Sequence, residues 1–194
     1  NCKELNDVTN ILFHHLLNLD NIQQDIEKHY SKIFTFTDDQ KEAITHICNF
    51  LKDNNTFISG LYGFAGTGKT TTITKLINYL ISNNYLRSVV FTAPTNKAVN
   101  VIKSKFRSDL DELCMKKLKD QNVNNSHCLD NLSDMLDKLE EIGIKVNFLT
   151  IHKLLNYQND FDIEGERIFI KGDKTNINSF DLVIVDECSM IPFQ

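Results

Sequence analysis

The stretch Gly63-Phe64-Ala65-Gly66-Thr67-Gly68-Lys69-Thr70 constrains this chain more than any other, because it places glycines at fixed spacing before a Lys-Thr pair, with Thr71 and Thr72 following. Glycines admit positive φ and let backbone N–H groups turn inward on an anion, and a helix starting directly afterwards adds the partial positive charge of its N-terminus. The flanks supply that setting. Thr56-Phe57-Ile58-Ser59-Gly60-Leu61-Tyr62 predicts a short buried strand entering the loop. Ile73, Leu76, Ile77 and Leu80 predict a helix leaving it. Between a strand and a helix, the Lys69 ammonium suits the β and γ phosphates of a nucleotide and the Thr70 hydroxyl suits Mg²⁺. A glycine-rich turn ending in a solvated lysine would account for the loop residues but not for their flanks.

Composition narrows the setting. A chain of 194 residues can bury one core with elaborations, and 41% hydrophobic with 24% charged residues is ordinary for a globular domain. No apolar run approaches the length of a membrane span, so a soluble protein without a membrane partner is expected. The chain opens at Asn1 with neither Met nor a signal-peptide pattern, which suggests a processed, cut or partial polypeptide. Five cysteines without a C-x-x-C pair point to reduced thiols and an intracellular setting, cytoplasmic or nuclear. Cys114, His127 and Cys128 form a loose cluster that lacks zinc-site spacing. A net charge of -5 does not advertise nucleic-acid binding, yet a local groove on an acidic protein can still hold a single strand.

Taken in order, residues 1–33 carry an apolar stripe at helical spacing (Val8, Ile11, Leu12, Leu16, Ile22, Ile26), with His14-His15 beside it as a surface pair. Thr37 with Gln40 three residues on is a capping-box signature, and Ala43, Ile44, Ile47, Cys48 and Leu51 give the following helix its buried face. Capping by itself explains Gln40. A second reading, compatible with the first, pairs its amide donor and acceptor with the edge of an adenine. Ser88-Val89-Val90-Phe91-Thr92 predicts a buried strand ending in Ala93-Pro94-Thr95-Asn96-Lys97-Ala98, at the sheet edge where ligands of open α/β folds bind. Lys97, Lys103, Lys105 and Arg107 suit either a phosphate-backbone surface or a solvated helix face.

Residues 108–143 predict an inserted helical hairpin around a loop at Asn122, Asn124, Asn125 and Ser126; its second helix carries Leu132, Met135, Leu136, Leu139 and Ile142 and stops at Gly143. Ile144, Val146 and Phe148 alternate as a strand leading to Thr150-Ile151-His152. Residues 156–180 contain a candidate β-hairpin bracketed by Gly165 and Gly172. Leu182-Val183-Ile184-Val185 reads as a central parallel strand delivering Asp186 and Glu187 to the sheet edge, Asp186 for Mg²⁺ and Glu187 to polarise a water.

In this order the motifs resemble those of superfamily 1B DNA helicases, most closely the phage Dda type, with RecD-like enzymes as wider relatives. Phe36 to Ala43 is similar to the Q motif, Gly63 to Thr72 to motif I, Thr92 to Ala98 to motif Ia, Thr150 to Leu155 to motif Ib and Val185 to Met190 to motif II. The resemblance implies an α/β, RecA-like P-loop NTPase domain over residues 34–194, with a mostly parallel central sheet, a helical insertion and a small β-hairpin. It implies a monomeric ATP-dependent DNA helicase that moves 5'-to-3' on single-stranded DNA. Its cofactors would be ATP and Mg²⁺, held by Gln40 and by Gly63, Phe64, Ala65, Gly66, Thr67, Gly68, Lys69, Thr70 and Thr71. Thr70 and Asp186 would hold the metal, and Lys69 and Glu187 would run hydrolysis. Pro94, Thr95, Asn96, Thr150 and His152 would lie along the DNA path, with the hairpin as strand-separating pin and Phe169 or Tyr157 stacking on a base.

The insertion before motif Ib is longer than in the phage enzyme. A second RecA-like domain with its arginines is not in these 194 residues, so weak turnover is expected of them alone. Two other readings remain open: a nucleotide-dependent switch or interaction module, and a P-loop ATPase or kinase acting on a small molecule. Neither needs a DNA-facing strip such as Pro94-Thr95 and Thr150-His152.

Overall fold

Helix initiation at Thr37 follows from two side chains. The Gln40 N–H donates to the Thr37 hydroxyl at 3.4 Å, and the Thr37 N–H donates to Gln40 Oε1 at 3.1 Å, which completes the expected capping box. The computed structural model describes residues 21–53, 55–107, 132–161, 164, 166–172 and 174–191. The chain divides into two units, Asn1–Leu80 and Ile81–Gln194.

In the first unit, helix α1 (Ile22–Tyr30) buries Ile22, Ile26 and Tyr30, one side chain per turn on a single face. The earlier part of the apolar stripe lies outside the described residues, as do His14 and His15. Helix α2 (Asp38–Lys52) starts with Asp38 and Asp39 against its positive end and buries Ile44, Ile47 and Cys48. Burial pushes the Cys48 thiol up to about 11, so it behaves as a small apolar side chain and not as a nucleophile. Helix α3 (Lys69–Ser82) follows the glycine loop directly and buries Leu76, Ile77 and Leu80 as the spacing predicts. Its buried threonines are satisfied within the helix: Thr72 Oγ1 donates to Gly68 O at 3.0 Å and Thr74 Oγ1 to Thr71 O at 3.0 Å. Tyr30 ties α1 to α3, since its hydroxyl donates to Lys75 O at 3.3 Å and accepts from Asn78 Nδ2 at 3.1 Å.

The strand expected at 56–62 is absent. Those residues form no ladder, and Phe57, Ile58 and Tyr62 are each more than 85% exposed. Local side-chain bonds explain the departure. Asp53 Oδ1 accepts from Asn55 N at 2.9 Å and its Oδ2 from the Thr56 hydroxyl, which together hold the Asp53 carboxyl below its usual range. His46 Nε2 lies 3.0 Å from Ser59 Oγ. Short polar side chains thus offer the backbone an alternative to pairing, and β propensity, which measures fit to a half-buried pleated surface, has no such surface to act on.

The second unit is built on three parallel strands. Strand β1 (Ser88–Ala93) lies between β2 (Lys145–Thr150) and β5 (Leu182–Val185). β1 is buried from Val89 to Ala93, as a two-sided parallel strand must be. Phe91 stacks on Phe148 at 5.4 Å and packs on Phe106 of helix α4, which covers residues 96–107. β5 was expected to be central; among the described strands it is an edge, half-buried, with Val185 42% exposed. Its apolar run says that it is a strand, not how many neighbours it has. Asp181 fixes its register, accepting from the N–H groups of Arg87 and Ser88 at 3.1 and 2.8 Å.

Helix α5 (Leu132–Glu141) buries Met135 and Leu139. It ends as predicted at Gly143, whose φ of +80° permits bonds from Ile144 N to Leu139 O and from Gly143 N to Glu140 O. The first part of the expected helical hairpin and the Cys114, His127, Cys128 cluster lie outside the described residues. A single turn, α6 (Ile151–Leu154), follows β2. The expected hairpin is present as β3 (Tyr157–Phe161) against antiparallel β4 (Arg167–Lys171). Lys97, Lys105 and Arg107 are exposed along α4 and Lys103 is half-buried, leaving the basic stretch on an open face.

One group in the sheet is unmatched: Thr92 is fully buried and its hydroxyl has no hydrogen-bond partner. Thr92→Val, nearly isosteric, removes an unsatisfied polar atom worth about 1–3 kcal/mol. It should raise the melting temperature by about 2 °C or more, and a lower melting temperature in a thermal scan would show that the hydroxyl is satisfied in solution.

Candidate functional site

The loop in the first unit takes the conformation its glycines allow. Gly66 and Gly68 have φ of +83° and +84°, a region that side chains with Cβ seldom enter. Thr67 closes a local turn, its N–H and hydroxyl both donating to Phe64 O at 3.4 and 2.9 Å. Lys69 bends back over the loop, with Nζ 2.7 Å from Gly63 O and 2.9 Å from Phe64 O. Gln40 reaches across from α2, donating through Nε2 to Thr67 O at 3.0 Å. The first turn of α3 follows, with the Lys69 and Thr70 N–H groups at the positive end of a 14-residue helix.

This donor set fits an oligophosphate with a divalent ion. The ammonium already holds two oxygens at hydrogen-bond distance, and the helix end favours negative charge. Among the described residues no group of three or more His, Cys, Asp or Glu forms a metal cage.

In the second unit the parallel register brings three segments to one sheet edge. Ala93 pairs with Thr150, and Thr92 with Val185, so the strands end level. Pro94-Thr95-Asn96 therefore leaves the edge beside Thr150-Ile151-His152 on one flank and Asp186-Glu187 on the other. Asp186 N extends the ladder by donating to Thr92 O at 2.9 Å, and Asp186 Oδ1 accepts from Glu187 N at 2.9 Å. Glu187 sits at φ +53°, ψ +36°, left-handed backbone that costs a non-glycine residue about 1–2 kcal/mol. His152 is exposed and stacks on the Phe169 ring of β4 at 4.6 Å and 26°, with Tyr157 edge-on at 6.0 Å. The aromatic ring of a hairpin and an imidazole of α6 thus form one open platform.

Residues 40–194 match the family model described as AAA domain. The chain belongs to the AAA domain family. That membership fixes a P-loop α/β fold, to which the parallel sheet of the second unit conforms. This AAA domain is 31% identical over 160 residues to protein R530 of Acanthamoeba polyphaga mimivirus, a protein itself uncharacterized, covering 80% of the chain and 27% of R530. It is 30% identical over 142 residues to the RecBCD enzyme subunit RecD of Buchnera aphidicola, covering 73% of the chain and 19% of RecD. The chain thus spans about a quarter and a fifth of these relatives. No solved structure matches it. No helix among the described residues is long and apolar enough to cross a membrane.

Within the AAA domain, the candidate residues fall into two sets. Gln40 and Gly63 to Thr71 lie together in the first unit. Pro94, Thr95, Asn96, Thr150, His152, Asp186 and Glu187 share the sheet edge of the second. Thr95 and Thr150 have structural work there: each hydroxyl caps a helix, accepting from Ala98 N at 3.2 Å and Lys153 N at 3.4 Å. Two links escaped the sequence reading. The Gln40 bond to Thr67 joins residues 27 apart and leaves no spacing signal. The pairing of His152 with Phe169 follows from hairpin register, which alternating residues alone do not fix.

Proposed function

We propose that this chain is the ATP-binding motor domain of a DNA helicase, coupling ATP hydrolysis to 5'-to-3' movement on single-stranded DNA and to duplex unwinding. The observation that carries the reading is the shared sheet edge, where the acidic pair Asp186-Glu187 and the strips Pro94-Thr95-Asn96 and Thr150-Ile151-His152 leave neighbouring parallel strands at one level. Chemistry on a nucleotide and contact with a strand can then be coupled through β1 alone. The likeness to RecD supports the same reading.

In this scheme Lys69 would exchange its two loop carbonyls for phosphate oxygens, and Thr70 and Asp186 are the residues that would each offer an oxygen to Mg²⁺, which would supply charge neutralisation on the phosphates. Glu187 accepts the proton of the attacking water, a role worth about 10²–10⁴ in rate. Gln40 offers its amide to adenine. The His152–Phe169 platform is open to a base, and stacking of this kind is worth about 1–3 kcal/mol per base.

A second reading, a nucleotide-dependent switch without unwinding, is favoured by one observation: the Thr95 and Thr150 hydroxyls are spent on helix caps. ATPase assays of the full-length protein with and without a single-stranded oligonucleotide separate the two. DNA should stimulate turnover, and His152→Ala should weaken oligonucleotide binding by about 1–3 kcal/mol while leaving ATP affinity unchanged. Absence of stimulation would favour the switch.

A further inference from the structure

The Gln40 side chain is committed at both ends. Its Oε1 accepts from Thr37 N at 3.1 Å, completing the cap of α2, and its Nε2 donates to Thr67 O at 3.0 Å, inside the glycine loop. The contact is close enough to shape what may stand beside it: a Cβ placed on Gly68 would lie 2.7 Å from Gln40 Nε2. Residue 68 is therefore glycine on two grounds, its left-handed φ of +84° and the approach of this amide. Thr67 and Gly68 immediately precede Lys69. Holding the Thr67 carbonyl fixes the peptide plane between Thr67 and Gly68, and with it the direction of the Gly68 N–H, one of the backbone donors the loop has to offer an anion.

We propose that Gln40 is a positioning residue for the phosphate loop, acting on the binding of the oligophosphate itself whether or not a base is attached. The inference rests on the nucleotide-binding reading of the loop and extends it. A glutamine read only as an adenine contact would leave phosphate binding untouched. A glutamine read only as a helix cap would act no more strongly than its capping partner. The observed bonding differs from both, because the amide oxygen serves the cap while the amide nitrogen serves the loop. The rigid plane of one amide then links the start of α2 to the loop. The amide keeps a second N–H and a second oxygen lone pair for a base, so base recognition and order in the loop meet on one side chain.

The test uses inorganic tripolyphosphate with Mg²⁺ beside ATP with Mg²⁺, titrated calorimetrically into the full-length protein and two variants. Gln40→Met keeps the length of the side chain and removes both amide bonds. Thr37→Ala removes the cap hydroxyl and leaves the bond from Gln40 to Thr67. Circular dichroism and a melting curve establish that each variant is folded. The expected result is that Gln40→Met weakens tripolyphosphate about fivefold or more, as loss of one preorganising hydrogen bond should, whereas Thr37→Ala, which keeps the bond to Thr67, changes it less than about twofold. Equal losses in the two variants would reduce Gln40 to a cap and overturn the proposal. So would a Gln40→Met variant that loses ATP affinity but keeps that for tripolyphosphate, since the residue would then read only the base. If Gln40→Met fails to fold, Gln40→Leu must weaken tripolyphosphate about fivefold or more for the proposal to stand, and unchanged affinity in it overturns the proposal. A wild-type protein that takes up neither ligand would instead bring down the nucleotide reading, and this proposal with it.

Discussion

Lys69→Ala is expected to cut the affinity for ATP with Mg²⁺ at least about tenfold and to bring ATPase activity of the full-length protein to background. The reasoning starts from what the ammonium touches. Its two bonds, to Gly63 O and Phe64 O, are to neutral carbonyls on an exposed loop, so they cost little to give up. Their replacement by charged phosphate oxygens is worth about 1.5–3 kcal/mol per bond. Stability should move little, because exposed hydrogen bonds contribute about 0.5–1.5 kcal/mol and the two carbonyls can turn to water. Calorimetry with ATP, a steady-state phosphate-release assay and a melting curve give the three numbers. Turnover at the wild-type rate in Lys69→Ala would remove this lysine from the mechanism.

Glu187 allows a sharper separation, since its backbone and its carboxylate make opposite demands. The left-handed conformation costs about 1–2 kcal/mol for a side chain with Cβ, and glycine in the same place avoids that cost while losing about 0.5–1 kcal/mol to the greater freedom of the unfolded chain. Glu187→Gly should therefore be more stable by about 0.5–1 kcal/mol, or about 1–4 °C in melting temperature, yet lose hydrolysis by about 10²–10⁴ through loss of the base. Glu187→Gln keeps the backbone and the shape; it should match wild type in stability and in ATP affinity and fail only in turnover. A stable, active glycine variant would show that the carboxylate is dispensable, and a destabilised one that the left-handed turn is not strained. Strain of this kind persists where surrounding structure over-determines it, and here the ladder bond from Asp186 N to Thr92 O holds the turn from one side and the bond from Met190 N to Glu187 O, at 2.9 Å, from the other.

What could be read from the sequence divides by range of interaction. The capping box at Thr37 and Gln40, the glycine stop at Gly143 and the helix after the loop each depend on residues within one turn of each other, and each is found where its spacing puts it. The buried strand β1 was legible because five consecutive apolar or β-branched residues leave few alternatives. Residues 56–62 looked as apolar, but Asp53 and His46, both on or just after α2, hold Thr56 and Ser59 in other bonds. Nothing in the strand-like run itself records that competition. The edge position of β5 was hidden for a related reason: a strand's composition reports burial of its faces, whereas its neighbours are set by residues far away in the chain. The same limit applies at the site. The glycine loop and the acidic pair are legible as motifs, while the amide of Gln40 on the loop and the imidazole of His152 on Phe169 arise only once the chain has folded.

The carboxylate of Asp181 that clasps the start of β1 comes 94 residues after Arg87, one of the two N–H donors it accepts from. At a synthesis rate of about 5–20 residues per second, β1 must wait about 5–20 s on the ribosome before its partner on that side has been made. Both flanks of this strand, with its five buried positions, are open until β2 has been made, and one stays open from β2 to β5, so chains halted within this interval are the species on which a chaperone, or an unwanted neighbour, would act first.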